Sequence, residues 1–595
     1  MKEMATKKGQ ALLVFAGAVA LTAYPPVAAL LYMGIKGAFG YLAPDSLYYL
    51  AIANHSLDSP FFTFDGVHPT NGFHPLWLFF LERCFGFFSI AGGDQILFVA
   101  VSGIVFVSLG SGLFALALLG LTRRPALALV GAVPGIFYLA LPRFHPTHFS
   151  QWSFVNGMET PLSVLLYGLL VYLIFGREWL RPPHNAKALA GLSLILSLIV
   201  LARLDDVFIL LPFGLYVALS SDSRRAATGR VAIFMAIPVL AIAGYLAFNL
   251  SYAESALPSS GTAKFRPLWA LARNGYALLT TVAPFIDILG RGNIAWSGEA
   301  WRMSQMLIPP LAGFWWLATR PMSLVPSPGS SQGWENCMVG LLAGYVVIKS
   351  GYNFAMVSLW DQGEWYYPLT IMTFNLIVTL AFARLLDSRR ASNPGGQTTG
   401  GQIQSEKTAL GTLRIRWPQL AGLPLAGILA FMLILVTANR FSDGKMSGRS
   451  MGQSYAFWVD REAIGEELST RCPGCGVVAF EDGLVSYSLE GISTLNGLGL
   501  VLDREAAGAQ EAGDLLGLAW RRGYRFFVSV SYAMPAEAYS SREKLRAHLL
   551  QNRHLGDEQL DQWRFEVAFT HPGSGASFIA FEPRGEARAK SGNAL

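Results

Sequence analysis

The sequence has few charged residues for its length. Asp, Glu, Lys and Arg make up 14% of its 595 residues, and the mean hydropathy is +0.39. A soluble domain carries about 25% charged residues, so this scarcity excludes a soluble enzyme and a disordered chain. Cysteine is also scarce, with four residues in the whole chain, which excludes a disulfide scaffold and a cysteine-rich metal protein.

The residues that are abundant indicate a lipid environment. Hydrophobic residues make up 52% of the chain, and its 15 Trp and 39 Phe are typical of the aromatic belts at membrane surfaces. The 61 Gly and 31 Pro would interrupt long heptads and exclude a coiled coil. In a membrane protein the net charge of +6 reflects basic cytoplasmic loops, and no nucleic-acid partner is expected.

Long apolar runs predict a polytopic α-helical membrane protein with about eleven transmembrane helices, because each crossing needs about 20 mostly apolar residues. The runs lie at 11–38, 93–121, 126–142, 158–176, 187–202, 205–220, 231–250, 303–319, 337–358, 366–386 and 420–438. The first run follows a basic start and is too long for the core of a signal peptide, so we expect an uncleaved helix.

The basic residues predict an orientation. With a cytoplasmic N-terminus, the cytoplasmic segments contain the basic clusters at 123–124, 177–187, 224–230 and 384–416, as the positive-inside rule requires. An odd number of spans then places the C-terminal tail outside. Three outward segments are longer than turns, and they cover 40–92, 251–302 and 440–595.

The chain is expected to divide into a membrane module, 1–439, and an extracytoplasmic α/β domain, 440–595. Within the tail, strands are predicted at 477–480, 524–530 and 576–581, and helices at 459–470, 503–522 and 541–552. In the first outer segment, residues 75–88 are too short for a span and predict a helix lying in the membrane interface.

Cys472-Pro-Gly-Cys475 lies in this outer tail. A local disulfide fits an oxidising compartment better than a redox-active pair, because the setting does not resemble a thioredoxin strand and helix. A zinc half-site would need a second Cys-x-x-Cys, which the sequence lacks.

Polar residues collect in the first outer segment. Asp45 follows Pro44 at the expected start of a helix and precedes Tyr48 and Tyr49. A carboxylate there is favoured by the helix dipole alone, but an ionisable group at a membrane boundary is also a functional candidate.

Further along the same segment, His68, Asn71 and His74 form part of a polar stretch between apolar runs. Its histidines are expected to donate hydrogen bonds to a phosphate or a sugar. A divalent metal is the alternative, but no third or fourth ligand of matching spacing is evident. The asparagine, glycine and prolines of this stretch are also ordinary turn residues.

These residues, taken as a set, resemble the bacterial GT-C glycosyltransferases over about residues 10–385. The matching pieces are Asp45-x-x-Tyr-Tyr-Leu, Asp65-Gly-x-His-Pro-Thr-Asn-Gly-Phe-His-Pro-Leu-Trp77, Asn156-Gly-Met-Glu159-Thr, Leu201-Ala-Arg203-Leu-Asp205, Pro258-Ser-Ser-Gly261-Thr-Ala-Lys264 and Glu364-Trp-Tyr366-Tyr367-Pro. That superfamily is distantly related to protein O-mannosyltransferases and to the aminoarabinose transferase of lipid A. Such proteins often carry two acidic residues at the first motif, but Pro44 precedes Asp45 here.

The resemblance implies a GT-C-like fold in the bacterial inner membrane and transfer of a hexose or pentose. The sugar would leave a polyprenyl-phosphate donor and join a hydroxyl of a glycan, lipid or protein acceptor on the extracytoplasmic face. Asp45 would be the general base. The donor or acceptor would be bound by Tyr48, Tyr49, His68, Asn71, His74, Glu159, Arg203, Asp205, Lys264, Tyr366 and Tyr367.

Simpler explanations for several of these residues stay open. Arg203 and Asp205 also fit an ion pair at the membrane interface, and Lys264 fits an exposed loop lysine. Glu159 also fits a first-turn carboxylate, and the Tyr366–Tyr367 pair fits an aromatic belt. At the level of the whole protein, the alternatives are a transporter or flippase for a lipid-linked or polar substrate, and a non-catalytic membrane scaffold.

Overall fold

The computed structural model describes most of the chain. The described residues are 2–134, 152–282, 298–320, 331–358, 364–391, 449–479, 482–497, 499–529 and 561–584. The predicted span at 420–438, the predicted helix at 541–552 and the expected domain boundary at 439–440 lie outside them.

Helices dominate up to residue 391, as the apolar runs predict. They are α1 Lys2–Met33, α2 Ile35–Tyr41, α3 Ser46–His55, α4 Pro75–Phe88, α5 Gly93–Thr122, α6 Pro125–Ala132, α7 Trp152–Val155, α8 Thr160–Phe175, α9 Ala186–Ala202, α10 Leu210–Leu219, α11 Arg224–Ala253, α12 Ser259–Lys264, α13 Pro267–Val282, α14 Gly298–Thr319, α15 Ser331–Met356 and α16 Pro368–Ala391. Short 3₁₀ turns cover Leu204–Ile209 and Glu364–Tyr366.

Five of the described helices are long and apolar enough to cross a membrane, and they make this a multi-pass membrane protein. They lie within α1, α5, α11, α15 and α16, while apolar stretches of α8, α9 and α14 are shorter. The predicted number of about eleven spans is therefore not confirmed.

Two predicted runs are divided by local backbone geometry. The first run, 11–38, is divided between α1, which ends at Met33, and α2, because Gly34 between them has a φ of 57°. The run at 205–220 starts as a 3₁₀ turn, and α10 begins only at Leu210. Pro212 then falls in the first helical turn, where its missing N–H needs no partner.

The tail contains a five-stranded mixed sheet. Its elements are α17 Arg449–Val459, α18 Arg461–Arg471, β1 Gly476–Ala479, α19 Asp482–Ser488, β2 Thr494–Asn496, α20 Arg504–Glu511, α21 Leu515–Arg521, β3 Tyr524–Ser529, β4 Trp563–Thr570 and β5 Ser577–Pro583. The strand order is β2-β1-β3-β5-β4, with the first three strands parallel and the last pairings antiparallel.

Three predicted strands are found in this sheet as β1, β3 and β5, whereas β2 and β4 were not predicted. The predicted helix at 503–522 is two helices, because Gly513 takes a φ of 71° between them. Cys472 and Cys475 are joined by a disulfide, as expected.

The tail packs on the first outer segment. Tyr48 and Phe64 of this segment share one apolar cluster with Val477 and Phe526 of the tail sheet, and Phe39 of α2 belongs to the same cluster. A second cluster fills the helical bundle, and a third lies on the other face of the sheet. The first outer segment thus lies between the bundle and the tail, and both sides restrict its conformation.

Candidate functional site

Two short segments lie side by side at one end of the bundle and position two carboxylates. The amide of Ala43 donates to the carbonyl of Asn156 at 2.8 Å, and the indole of Trp77 donates to the carbonyl of Gly157 at 3.1 Å. Asp45 is the residue directly before α3, and Glu159 is the residue directly before α8; neither side chain forms a capping hydrogen bond with its helix. These contacts bring the first outer segment against the Gly-Met-Glu-Thr motif.

Glu159 is fully buried and is held by two donors. Its Oε2 accepts a hydrogen bond from the Tyr49 hydroxyl at 2.9 Å, and its Oε1 accepts one from Arg203 Nη1 at 2.7 Å. The Nε2 of His74 lies 3.6 Å from the same Oε1. Glu159 is therefore the centre of an ionic cluster, rather than a solvated first-turn carboxylate.

Arg203 extends this cluster toward the later motifs. Its Nε lies 2.8 Å from Asp205 Oδ1, and its guanidinium carbon lies 4.3 Å from the centroid of the Tyr366 ring. Lys264 Nζ lies 5.7 Å from the centroid of the same ring. Two cations from distant parts of the sequence thus share one aromatic ring, at distances typical of cation–π contacts.

A buried lysine that the sequence analysis did not single out completes the cluster. Lys349 on α15 is 1% exposed and forms ion pairs with Asp206 Oδ1 and, at 3.4 Å, with Asp205 Oδ2. The Tyr345 hydroxyl donates to Asp206 Oδ1 at 2.5 Å. The signal that could have identified Lys349 is its place in an apolar run, where a buried charge needs a partner.

Asp45 differs from the other carboxylates of the site. Glu159, Asp205 and Asp206 all form ion pairs, whereas no described group forms a hydrogen bond or an ion pair within 4.0 Å with the Asp45 carboxylate. Asp45 keeps part of its surface accessible. Desolvation by the surrounding protein raises its pKa, Lys264 opposes that rise, and the charge of Glu159 adds to it.

His74 lies in the loop before α4, at the edge of the ionic cluster. Its Nδ1 accepts a hydrogen bond from the Leu204 amide at 3.4 Å, and its own amide donates to the Tyr49 hydroxyl at 3.3 Å. Burial lowers the pKa of His74, although the charge of Glu159 opposes this. The neutral imidazole is therefore favoured.

His68 lies in a different cluster from His74. Its Nδ1 is 2.6 Å from Asp65 Oδ2, and the Tyr524 hydroxyl of the tail donates to the same oxygen at 3.4 Å. The hydrogen bond to Asp65 raises the pKa of His68, against the effect of its partial burial. His68 therefore lies at the junction with the tail, whereas His74 lies beside Glu159, and the expected contact of both histidines with a phosphate or a sugar stays a prediction.

Asn71 also serves a junction. Its Nδ2 donates to the carbonyls of Ser255 and Leu257, both at 3.1 Å, and its Oδ1 accepts from the Ser259 amide at 3.0 Å. These bonds fix the first outer segment to the first residue of α12 and to the residues before it. The asparagine thus holds the segment that carries Lys264.

The remaining two candidates, Tyr48 and Tyr367, are buried in two different apolar clusters. Tyr48 is buried, with its ring 5.7 Å from that of Phe64 on the side of the tail. Tyr367 is buried in the core of the helical bundle. Across the described residues, no group of three or more His, Cys, Asp or Glu side chains could hold a metal ion.

The helices and the ionic cluster define a multi-pass membrane protein with a buried charged site at one end of its bundle. No protein-family model matches the sequence, and no curated protein matches it significantly.

Among solved structures, the protein is similar to ArnT from Cupriavidus metallidurans in the apo state, with a TM-score of 0.47 and 10% identity over 93% of this chain and 97% of that one. It is also similar to the oligosaccharyltransferase AglB from Archaeoglobus fulgidus in complex with an inhibitory peptide and a dolichol-phosphate. That match has a TM-score of 0.44 and 13% identity over 96% of this chain and 74% of that one. Both structures belong to the GT-C superfamily that the sequence motifs resemble.

Proposed function

We propose that the protein is an integral-membrane glycosyltransferase. It moves a sugar from a polyprenyl-phosphate donor to a hydroxyl of a glycan, lipid or protein acceptor. The observation that carries the proposal is the pair of cations, Arg203 and Lys264, at 4.3 and 5.7 Å from the Tyr366 ring, with Asp45 in the electrostatic field of Lys264. The reaction takes place at the extracytoplasmic face of the bacterial inner membrane, with the N-terminus in the cytoplasm and the tail outside.

The two cations suit the leaving phosphate of such a donor. Negative charge grows on the phosphate oxygens as the bond to the sugar breaks, and fixed positive charges stabilise that transition state. Arg203 is held by Glu159 and Asp205, so its position is set before the donor binds. Lys264 supplies a point charge from a different segment, and arginine supplies the planar donor pair.

Asp45 suits the role of general base because no described cation neutralises its carboxylate at close range. The other three carboxylates are committed to Arg203 and Lys349. A raised pKa makes the Asp45 carboxylate a stronger base for the proton of the acceptor hydroxyl. One carboxylate is sufficient for this step, so Pro44 in place of a second acidic residue does not prevent it.

A transporter or flippase would need charged groups near the middle of the membrane. Lys349 is the residue that bears on this alternative, because it is a charged side chain buried within the apolar helix α15. It lies about 10 Å along the helix axis from Met356, at the end of α15 nearer Tyr366. Its charge is paired with Asp206 and Asp205 of the ionic cluster, so it is not available to a substrate that crosses the membrane, which favours catalysis over transport.

The proposal is tested with the full chain in proteoliposomes that contain a radiolabelled polyprenyl-phosphate sugar. We expect the wild-type protein to release or transfer the sugar, and Asp45→Asn to lower that rate by at least about a hundredfold. Asp58→Asn is the matched control, because Asp58 is an exposed aspartate of the same outer segment.

Asp45→Asn should leave the protein as stable as the wild type, because the carboxylate has no close partner among the described residues. Near-normal turnover in a folded Asp45→Asn protein would exclude Asp45 as the base. Movement of the intact donor across the bilayer without any sugar release would instead establish a flippase.

A further inference from the structure

A second cluster of cations lies at the opposite end of the bundle from Glu159. Arg384 is about 24 Å along α16 from Pro368. Arg320 directly follows α14, and both arginines face the ring of Trp316. Their guanidinium carbons lie 4.9 Å (Arg384) and 5.8 Å (Arg320) from the ring centroid.

This cluster contains buried donors without acceptors. Trp316 is 0% exposed, and its Nε1 forms no hydrogen bond with any described group. The Nε of Arg320 and the Nη1 of Arg384 are also buried and have no hydrogen-bond partner in the described part of the chain, although Arg384 Nη2 donates to Asn336 Oδ1 at 2.7 Å. A buried polar group that lacks its hydrogen bond costs free energy, so three donors in one place indicate a missing acceptor.

The charges of the cluster indicate that this acceptor is an anion. The guanidiniums of Arg320 and Arg384 repel each other. Glu335 attracts Arg384, yet among the described residues no carboxylate forms an ion pair within 4.0 Å with either arginine. An oxygen-rich anion would accept from the arginines and the indole and would also reduce the repulsion.

We propose that Arg320, Arg384 and Trp316 bind the phosphate of an anionic membrane lipid. A free phosphate offers the same oxygens, but the flank of the cluster favours a lipid. Leu311 and Phe314 on the preceding turns of α14 are 60% and 56% exposed, as is suitable for contact with an acyl chain. A lipid whose phosphate lies at the end of α14 and whose acyl chains lie along this flank has its headgroup at the ordinary depth in the membrane.

The test uses the full-length protein in detergent micelles that contain phosphatidylglycerol, phosphatidylcholine or neither, with inorganic phosphate as a further condition. Bound lipid is measured by native mass spectrometry, and protection by thermal unfolding. We expect phosphatidylglycerol to bind the wild type at least about tenfold more tightly than it binds Arg320→Gln/Arg384→Gln. Arg225→Gln is the control, because Arg225 is an exposed arginine at the start of α11.

Arg384→Lys separates charge from geometry, because it keeps the cation but loses the planar fork, and we expect an intermediate affinity. Equal phosphatidylglycerol binding by the wild type and a folded double variant would overturn the proposal. Protection by inorganic phosphate alone, with no preference for phosphatidylglycerol over phosphatidylcholine, would assign the site to a free anion and overturn the lipid assignment. If the double variant fails to fold, the affinity of Arg384→Lys for phosphatidylglycerol becomes the deciding measurement. An affinity equal to that of the wild type would then contradict the proposed site.

Discussion

Replacing Lys349 by methionine is expected to destabilise the protein strongly. The ionic cluster contains two cations, Arg203 and Lys349, against the three carboxylates of Glu159, Asp205 and Asp206. Lys349→Met leaves one cation for three carboxylates, and two of these, Glu159 and Asp206, are 0% exposed. Removing one partner of a buried ion pair costs about 3–5 kcal/mol, because the other charge stays buried and uncompensated.

The assay is equilibrium unfolding in mixed detergent micelles, followed by the loss of helical signal. A second substitution, Asp206→Asn, removes the charge that Lys349 neutralises but keeps an oxygen for the Tyr345 hydroxyl. In the double variant Lys349→Met/Asp206→Asn, we expect recovery of about half or more of the lost stability, which is the coupling expected of residues in direct contact. Lys187→Met is the control, since Lys187 is exposed at the start of α9.

Two results would refute this reasoning. If Lys349→Met changes the free energy of unfolding no more than Lys187→Met does, the buried ion pair contributes nothing to the fold. If the double variant loses the sum of the two single losses, Lys349 and Asp206 are not coupled.

Three further predictions follow from the site and its supports. The pKa of Asp45 is raised, so the transfer rate should fall on the acidic side at a pH above the pKa of an ordinary aspartate. Because Lys264 opposes that rise, Lys264→Gln should move this fall in rate to higher pH. His68 has a raised pKa, so its contribution to stability is present below the unfolded pKa of 6.5 and lost as pH rises through the folded value. His68→Gln should therefore lower the unfolding free energy more in mild acid than in alkali. Gly157→Ala should cost about 1–3 kcal/mol in unfolding, because φ is 76° there and a Cβ would overlap the Leu42 side chain.

Each of these has its own check. A fall in rate on the acidic side that does not move in Lys264→Gln would contradict the electrostatic coupling to Asp45. A His68→Gln effect that is independent of pH would show that the His68–Asp65 contact is not ionic. Gly275→Ala is the control for Gly157→Ala, because a Cβ at this helical glycine meets no atom within 4 Å, and a loss of equal size in both variants would contradict the steric argument.

Local sequence patterns could predict much of the framework. The long apolar runs indicated the membrane helices, and apolar β-branched and aromatic runs indicated β1, β3 and β5. The spans were less well predicted, because a hydrophobic run does not show where a residue such as Gly34 divides it. The short strand β2 escaped prediction because three residues carry too little periodicity.

The sequence by itself determined which segments carry the polar motifs, since Asp45, Glu159, Arg203 and Lys264 stand at the ends of apolar runs. Only the tertiary structure decided which of their neighbours act together. It paired Lys349 with Asp206, which is distant in the sequence, and it placed His68 at the tail while His74 joined Glu159. The physical reason is that a buried charge is stabilised by whichever opposite charge the fold brings to it, and local periodicity contains no record of that partner.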